Sequence, residues 1–272
     1  MDLNTITDIG RPRTRGDLGP WQAGDAWLAG GTWLFSEPQP ALTRLIDLAE
    51  MGWPALETHA DGLRIAATCT LARLAAAEVL PAWRAAPLLG QCCRALLGSF
   101  KIWNAATVGG NLCMALPAGP MAALSVALDG VCTIWTPEGG ERRLPVADFV
   151  LGPQSTALLP NELLRAVDLP AEALRRRTAF RQISLTPLGR SGALLVGTLG
   201  GGDFALTVTA ATRRPIRVDF TGMPPREALA DALAHTIPDA LYYDDLHGAP
   251  DWRRHMTFRL AEQIRDELAA AA

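Results

Sequence analysis

Apolar positions along the chain fall in short runs separated by glycine and proline, and their spacing predicts interleaved short strands and helices. Residues 1–20 carry Gly10, Pro12, Gly16, Gly19 and Pro20 and read as a loop-rich opening. Trp27-Leu28-Ala29 is the first buried strand, and it runs into Gly30-Gly31-Thr32. Trp33-Leu34-Phe35 follows, before a turn at Pro38 and Pro40. Leu42, Leu45, Ile46 and Leu48 fit either a helix face or a strand end. Leu63 to Ala67 predicts a strand. Thr70 is placed to cap a helix over Leu71 to Ala75 that stops before Pro81. A second helix, Pro87 to about Leu97, puts Leu88, Leu89, Cys92 and Leu96 on one face.

The next segment is Asn104-Ala105-Ala106-Thr107-Val108-Gly109-Gly110-Asn111-Leu112, and Pro117 and Pro120 bracket a turn beyond it. A short helix over Ala122 to Leu128, a strand over Val131 to Trp135 and a tight turn at Glu138-Gly139-Gly140-Glu141 come next. Composition shifts after about residue 170, so a domain boundary is placed near Leu169-Pro170. Beyond the run Arg175-Arg176-Arg177, Phe180 to Ser184 predicts a strand. Leu194 to Leu199 and Phe204 to Thr209 flank Gly200-Gly201-Gly202-Asp203 as a hairpin, and Ile216 to Phe220 alternates as a third strand. Helices are expected over Arg226 to Ala234 and from Trp252 to the C-terminus.

The 272 residues suffice for about two domains. Hydrophobic residues make up 49% and charged residues 19%, a globular composition. The net charge of −3 argues against nucleic acid as a partner. Arginine supplies all the basic residues but Lys101. No apolar run is long enough to span a bilayer, and Met1-Asp2-Leu3-Asn4 does not open a signal peptide, so a cytoplasmic protein is expected. The cysteines, Cys69, Cys92, Cys93, Cys113 and Cys132, are odd in number and lack metal-ligand spacing; they read as small buried hydrophobes. The scattered histidines, His59, His235, His247 and His255, predict no metal site. Asp148 and Glu162 read as solvated or helix-end carboxylates, and Arg175 to Arg177 as a solvated linker face rather than a docking patch.

Two glycine pairs carry the candidate chemistry. A Gly-Gly pair behind an apolar strand lets the backbone turn and lets successive N–H groups point outward together. Such a nest suits a diphosphate, and a neighbouring Thr or Asn adds a neutral donor. The alternative for each pair is a plain tight turn. Neither is a Walker loop, because no Gly-Lys-Ser/Thr follows, and neither has the third glycine of the dinucleotide fingerprint.

Leu28-Ala29-Gly30-Gly31-Thr32 together with Asn104 to Leu112 resembles the two FAD-diphosphate loops of the flavin subunit of the molybdenum hydroxylases, the xanthine dehydrogenase and carbon monoxide dehydrogenase family. The similarity continues through Leu63 to Ala67, Leu71 to Leu74, Glu141-Arg142-Arg143, Val146 to Phe149, Leu159 to Leu164 and Ala179 to Gln182. It ends in a closing helix at Trp252-Arg253-Arg254-His255. The resemblance implies an α+β protein: a two-lobed FAD-binding domain of the flavin-oxidase (PCMH) type over residues 1–169, with lobes of about 1–58 and 59–169. A smaller α+β C-terminal domain over 170–272, with a three-stranded antiparallel sheet and helices, would follow. Carried over, the first loop would wrap the diphosphate with the backbone of Trp27, Leu28, Ala29, Gly30, Gly31, Thr32, Trp33 and Leu34. Thr107, Val108, Gly109, Gly110 and Asn111 would close on it from the other side. Leu158 would be an apolar contact, and Arg181 stands where the family often has lysine. Pro120 takes a position often acidic in the family and offers neither an acceptor nor an N–H. Trp103, where arginine is common, reads as core or as an aromatic neighbour of the cofactor. With no histidine in either loop, a histidine-linked flavin is not implied.

The function implied is an electron-transfer subunit. A large molybdenum-pterin partner would hydroxylate the substrate, and a small partner with 2Fe–2S clusters would pass electrons through FAD to NAD or another acceptor, in a dimer of heterotrimers. The chemistry would be the cofactor's, with no catalytic acid or base on this chain. A stand-alone flavin oxidoreductase and a structural subunit that has lost FAD are the alternatives.

Overall fold

The computed structural model describes residues 3–270. Its first sheet is small and parallel: β1 (Asp8–Gly10) and β2 (Asp25–Leu28) flank β3 (Arg44–Asp47). The ambiguous Leu45-Ile46 pair is therefore strand, and its two side chains are buried.

The second sheet is antiparallel and five-stranded. It runs β4 (Leu56–His59), β5 (Gly62–Ala66), β10 (Leu163–Pro170), β6 (Val131–Trp135), β7 (Glu141–Pro145), with β10 central. Strand β4 lies within the segment expected to form the first lobe, yet it pairs with β5, so this sheet begins before residue 59. One face is covered by α1 (Leu71–Ala75), α2 (Ala86–Ala95), α4 (Val108–Met114) and α5 (Pro120–Ala127), with α3 (Phe100–Ala105) beside them. Thr70 caps α1 by accepting from Arg73 N–H at 3.3 Å. All eight residues of α5 are buried, because its other side packs on the C-terminal sheet. A short helix α6 (Val146–Phe149) and the hairpin β8 (Val150–Gly152) and β9 (Ser155–Thr156) lead to β10.

Beyond β10 and α7 (Ala171–Arg175) stands an antiparallel meander, β11 (Arg177–Ile183), β12 (Ala193–Gly200), β13 (Asp203–Thr209), β14 (Ile216–Phe220). It has four strands where three were expected, because the Phe180 strand pairs along its whole length with β12. Leu194, Val196 and Ala210 turn toward α5 and join the core of the five-stranded sheet. Leu195, Leu206 and Val208 turn the other way, onto α8 (Arg226–Thr236) and α9 (Pro250–Ala270). Burial on both faces explains why these strands read as continuous apolar runs. The last two residues expected in the closing helix, and Met1 and Asp2 of the opening, lie outside the described residues.

The arginine run is not a solvated face throughout. Arg176 pairs with Asp129 at 2.7 Å, and Arg177 donates to the Leu268 carbonyl near the end of α9, where a cation offsets the helix dipole. Among the described residues no helix is long and apolar enough to cross a membrane.

Candidate functional site

Strand β2 ends at Leu28, and the chain turns through Ala29 to Leu34. Gly31 has φ +67°, a left-handed conformation that favours glycine. Phe35 N–H and Ser36 N–H donate back to the carbonyls of Gly31 and Trp33, both at 2.9 Å, and hold the turn closed. Among the described residues, the N–H groups of Gly30, Gly31, Thr32, Trp33 and Leu34 find no acceptor in the protein. These five residues are half-buried. Five consecutive donors in partly desolvated backbone thus lack a protein partner, and unpaired amides of this kind need water or an acceptor-rich ligand.

The second glycine pair is built differently. It follows no strand: Thr107 is the N-cap of α4, and Gly109-Gly110 lie in the helix's first turn. The backbone donors from Val108 to Asn111 are all engaged. Val108 N–H donates to Cys69 O and Gly109 N–H to Ala67 O, both at 2.9 Å; Gly110 N–H donates to Thr107 Oγ1 and Asn111 N–H to Thr107 O, both at 3.0 Å. The expectation that this turn offers a second nest of amides is thus corrected, because capping and sheet-edge bonds consume them. Its glycines serve close packing instead. A Cβ on Gly109 would lie 2.5 Å from Ala67 Cβ and 2.8 Å from the Ala67 backbone. The Asn111 carboxamide accepts from Met121 N–H at 3.0 Å and ties α4 to the start of α5.

The two turns meet. A Cβ on Gly30 would lie 1.8 Å from the carbonyl oxygen of Ala105 and 3.3 Å from Ala106 Cα. Gly30 therefore packs directly on the lead-in to Thr107, next to the free donors that follow it in the chain. Ala67, Cys69, Ala105 and Ala106 complete this arrangement, and sequence reasoning passed over them. Their signal was smallness at the end of a strand and of a helix.

The remaining expected residues divide. Leu158 is half-buried and packs on the same core as Val108 and Leu112. Trp27 lies tilted against Trp21, with ring centroids 4.8 Å apart and planes 49° apart, and donates Nε1–H to Glu162 O at 3.0 Å. Arg181 pairs with Glu267 of α9 at 2.6 Å, on the face of β11 shared with Ala179. Trp103 packs against the core, with its buried Nε1–H lacking a partner. Pro120 is buried at the first position of α5, where its missing N–H costs nothing.

Glu162 is not solvated, as first read, but 4% exposed. Arg142 donates to it from Nε at 2.6 Å and Leu159 N–H donates to it at 2.7 Å, and the Arg142 hydrogen bonds hold its carboxyl below the usual range. Burial pushes the thiols up, Cys69 to about 11 and Cys113 to about 12, so they stay protonated at neutral pH. The described residues contain no group of three or more His, Cys, Asp or Glu placed to hold a metal.

Residues 23–172 match the family model described as the FAD binding domain in molybdopterin dehydrogenase. A stretch of 84 residues is 36% identical to a xanthine dehydrogenase of Oryza sativa subsp. japonica, covering 29% of this chain and 6% of that protein. Along its whole length the chain is similar to one in a reconstituted CO dehydrogenase from Oligotropha carboxidovorans, at a TM-score of 0.83, 23% identity and 100% coverage of both. It is also similar to one in quinoline 2-oxidoreductase from Pseudomonas putida 86, at a TM-score of 0.79 and 20% identity, covering 100% and 99% of the two chains. Likeness at these identities establishes the shared fold.

Proposed function

Because the chain belongs to the family of FAD-binding domains in molybdopterin dehydrogenases, we propose that it is the FAD-carrying electron-transfer subunit of a multi-subunit molybdenum hydroxylase. The observation that carries this reading is the run of unpaired amides from Gly30 to Leu34 beside a second glycine turn. FAD, when bound, supplies the ability to take up electrons singly and release them as a pair. The chain's own part is to grip and orient it. The amides of Gly30 to Leu34 would donate to the diphosphate, and the Thr32 hydroxyl adds a neutral donor. Thr107 to Asn111 would form the opposing wall mainly through packing, with the Thr107 amide as its one free backbone donor and Leu158 as an apolar contact. Arg181, held by Glu267, would act on the cofactor only through its backbone.

On this reading the electrons come from 2Fe–2S clusters on a small partner, and a large molybdenum-pterin partner oxidises the substrate. NAD or another acceptor receives the electrons, and the assembly is a cytoplasmic dimer of heterotrimers. The occupied amides of the second turn favour one other reading, a structural subunit that has lost FAD. The absorbance spectrum of the purified chain separates the two. Flavin bands that persist through gel filtration after FAD is added support the carrier, as does co-purification with an iron–sulfur protein and a large molybdenum protein. A colourless chain after reconstitution overturns it.

A further inference from the structure

Between the parallel sheet and the five-stranded sheet lies a cleft of about 490 Å³ that the proposed function leaves unused. Its walls are aromatic. Trp21 and Trp27, with ring centroids 4.8 Å apart, stand on the side of the first sheet, and Trp135 stands on the other. Trp135 is fixed in orientation by an edge-on contact with Trp53 at 5.3 Å. The indole N–H groups of Trp27 and Trp135 are bonded elsewhere, to Glu162 O at 3.0 Å and Glu141 Oε1 at 2.8 Å. Neither side chain offers the cleft a free donor; Trp27 contributes apolar ring surface, whereas the Trp135 ring already carries the Arg15 guanidinium, with that of Arg165 5.9 Å from its centroid.

Arg15 lies at the rim with its guanidinium 4.7 Å from the Trp135 ring centroid. Its Nη2 donates to the carbonyls of Thr136 and Gly140. Carbonyls fix its position without cancelling its charge, and among the described residues no carboxylate pairs with it. Aromatic walls select a flat ring by stacking, and an uncompensated guanidinium selects an anion. The volume falls within the range of small-molecule sites. We propose that this cleft binds a planar aromatic anion, the ring against the Trp21 and Trp27 wall and the anionic group on Arg15.

The test uses the full chain saturated with FAD and three probes: 2-naphthoate, the neutral 2-naphthalenemethanol and the non-planar cyclohexanecarboxylate. Binding is read by calorimetry and by quenching of tryptophan fluorescence. Naphthoate should bind, and both other probes should bind roughly tenfold more weakly or less. Arg15→Gln should weaken naphthoate by roughly tenfold and leave naphthalenemethanol unchanged, whereas Trp21→Leu should weaken both by roughly threefold to tenfold. Should Arg15→Gln not fold, about 1 M salt applied to the native chain, where charges are screened within about 3 Å, should weaken naphthoate selectively. Equal binding of the three probes, or naphthoate affinity indifferent to both Arg15 and salt, overturns the proposal. So does displacement of naphthoate when FAD is titrated into the FAD-free chain, since the cleft would then belong to the cofactor's own site.

Discussion

Replacing Gly30 by alanine tests the contact on which the candidate site is built. Gly30 has no left-handed φ, so it requires space there rather than conformational freedom. The added methyl would stand 1.8 Å from the Ala105 carbonyl oxygen and 2.7 Å from its carbon, both backbone atoms that cannot rotate aside. Either the first turn or the end of α3 must shift. Overpacking of this kind costs about 1–3 kcal/mol, which lowers the melting temperature of a protein this size by roughly 2–12 °C. The consequence for FAD is larger. A shift that breaks two amide hydrogen bonds to an anion weakens binding by roughly a hundredfold. Gly152→Ala is the control: nothing lies within 4 Å of its added methyl and its φ is ordinary, so stability should change by less than about 0.5 kcal/mol. Differential scanning fluorimetry and FAD titration followed by flavin fluorescence read both effects. If Gly30→Ala melts and binds FAD like Gly152→Ala, the two turns do not touch as described and the reasoning fails.

Arg253 is 1% exposed and donates to the carbonyls of Gly248, Gly192 and Ala210 while pairing with Asp245. Arg253→Ala should cost about 3–5 kcal/mol in urea unfolding, and a loss below about 1 kcal/mol contradicts the bonded arrangement. The carboxyls of Asp25 and Glu162 are held below their ordinary range by hydrogen bonds from Arg44 and Arg142. Their stabilisation is fully present above the unfolded carboxylate pKa of about 4 and is lost as pH falls through the lower folded value. Unfolding free energy should therefore drop on acidification below about pH 4, and the double variant Asp25→Asn, Glu162→Gln should flatten that limb. With Cys69 raised to about 11 and Cys93 to about 12, these thiols should not react with a disulfide reagent at pH 8 until the chain is unfolded. Thr107→Ala, which removes the α4 cap, should cost about 1 kcal/mol by the same urea assay; no change argues against the Gly110 bond.

Sequence alone determined most of the local structure here. Thr70 before Leu71 announced α1, and the alternation in Ile216 to Phe220 announced β14, because caps and periodicity are local properties. The two glycine pairs stood out for the same reason. What they do was decided by tertiary structure. Gly109 and Gly110 look like a donor nest until the strand end at Ala67 and Cys69 and the Thr107 cap take their amides, contacts made across about forty residues of chain. Nothing in the sequence around Arg181 announces its pairing with Glu267, more than eighty residues on, which the alternation of β11 brings about. Four strands in place of three, the pairing of β4 with β5 and a buried ion pair at Glu162 have the same origin. Hydrogen-bond donors, charges and strand edges find their partners in space, and nothing in a stretch of sequence records which distant group will occupy them.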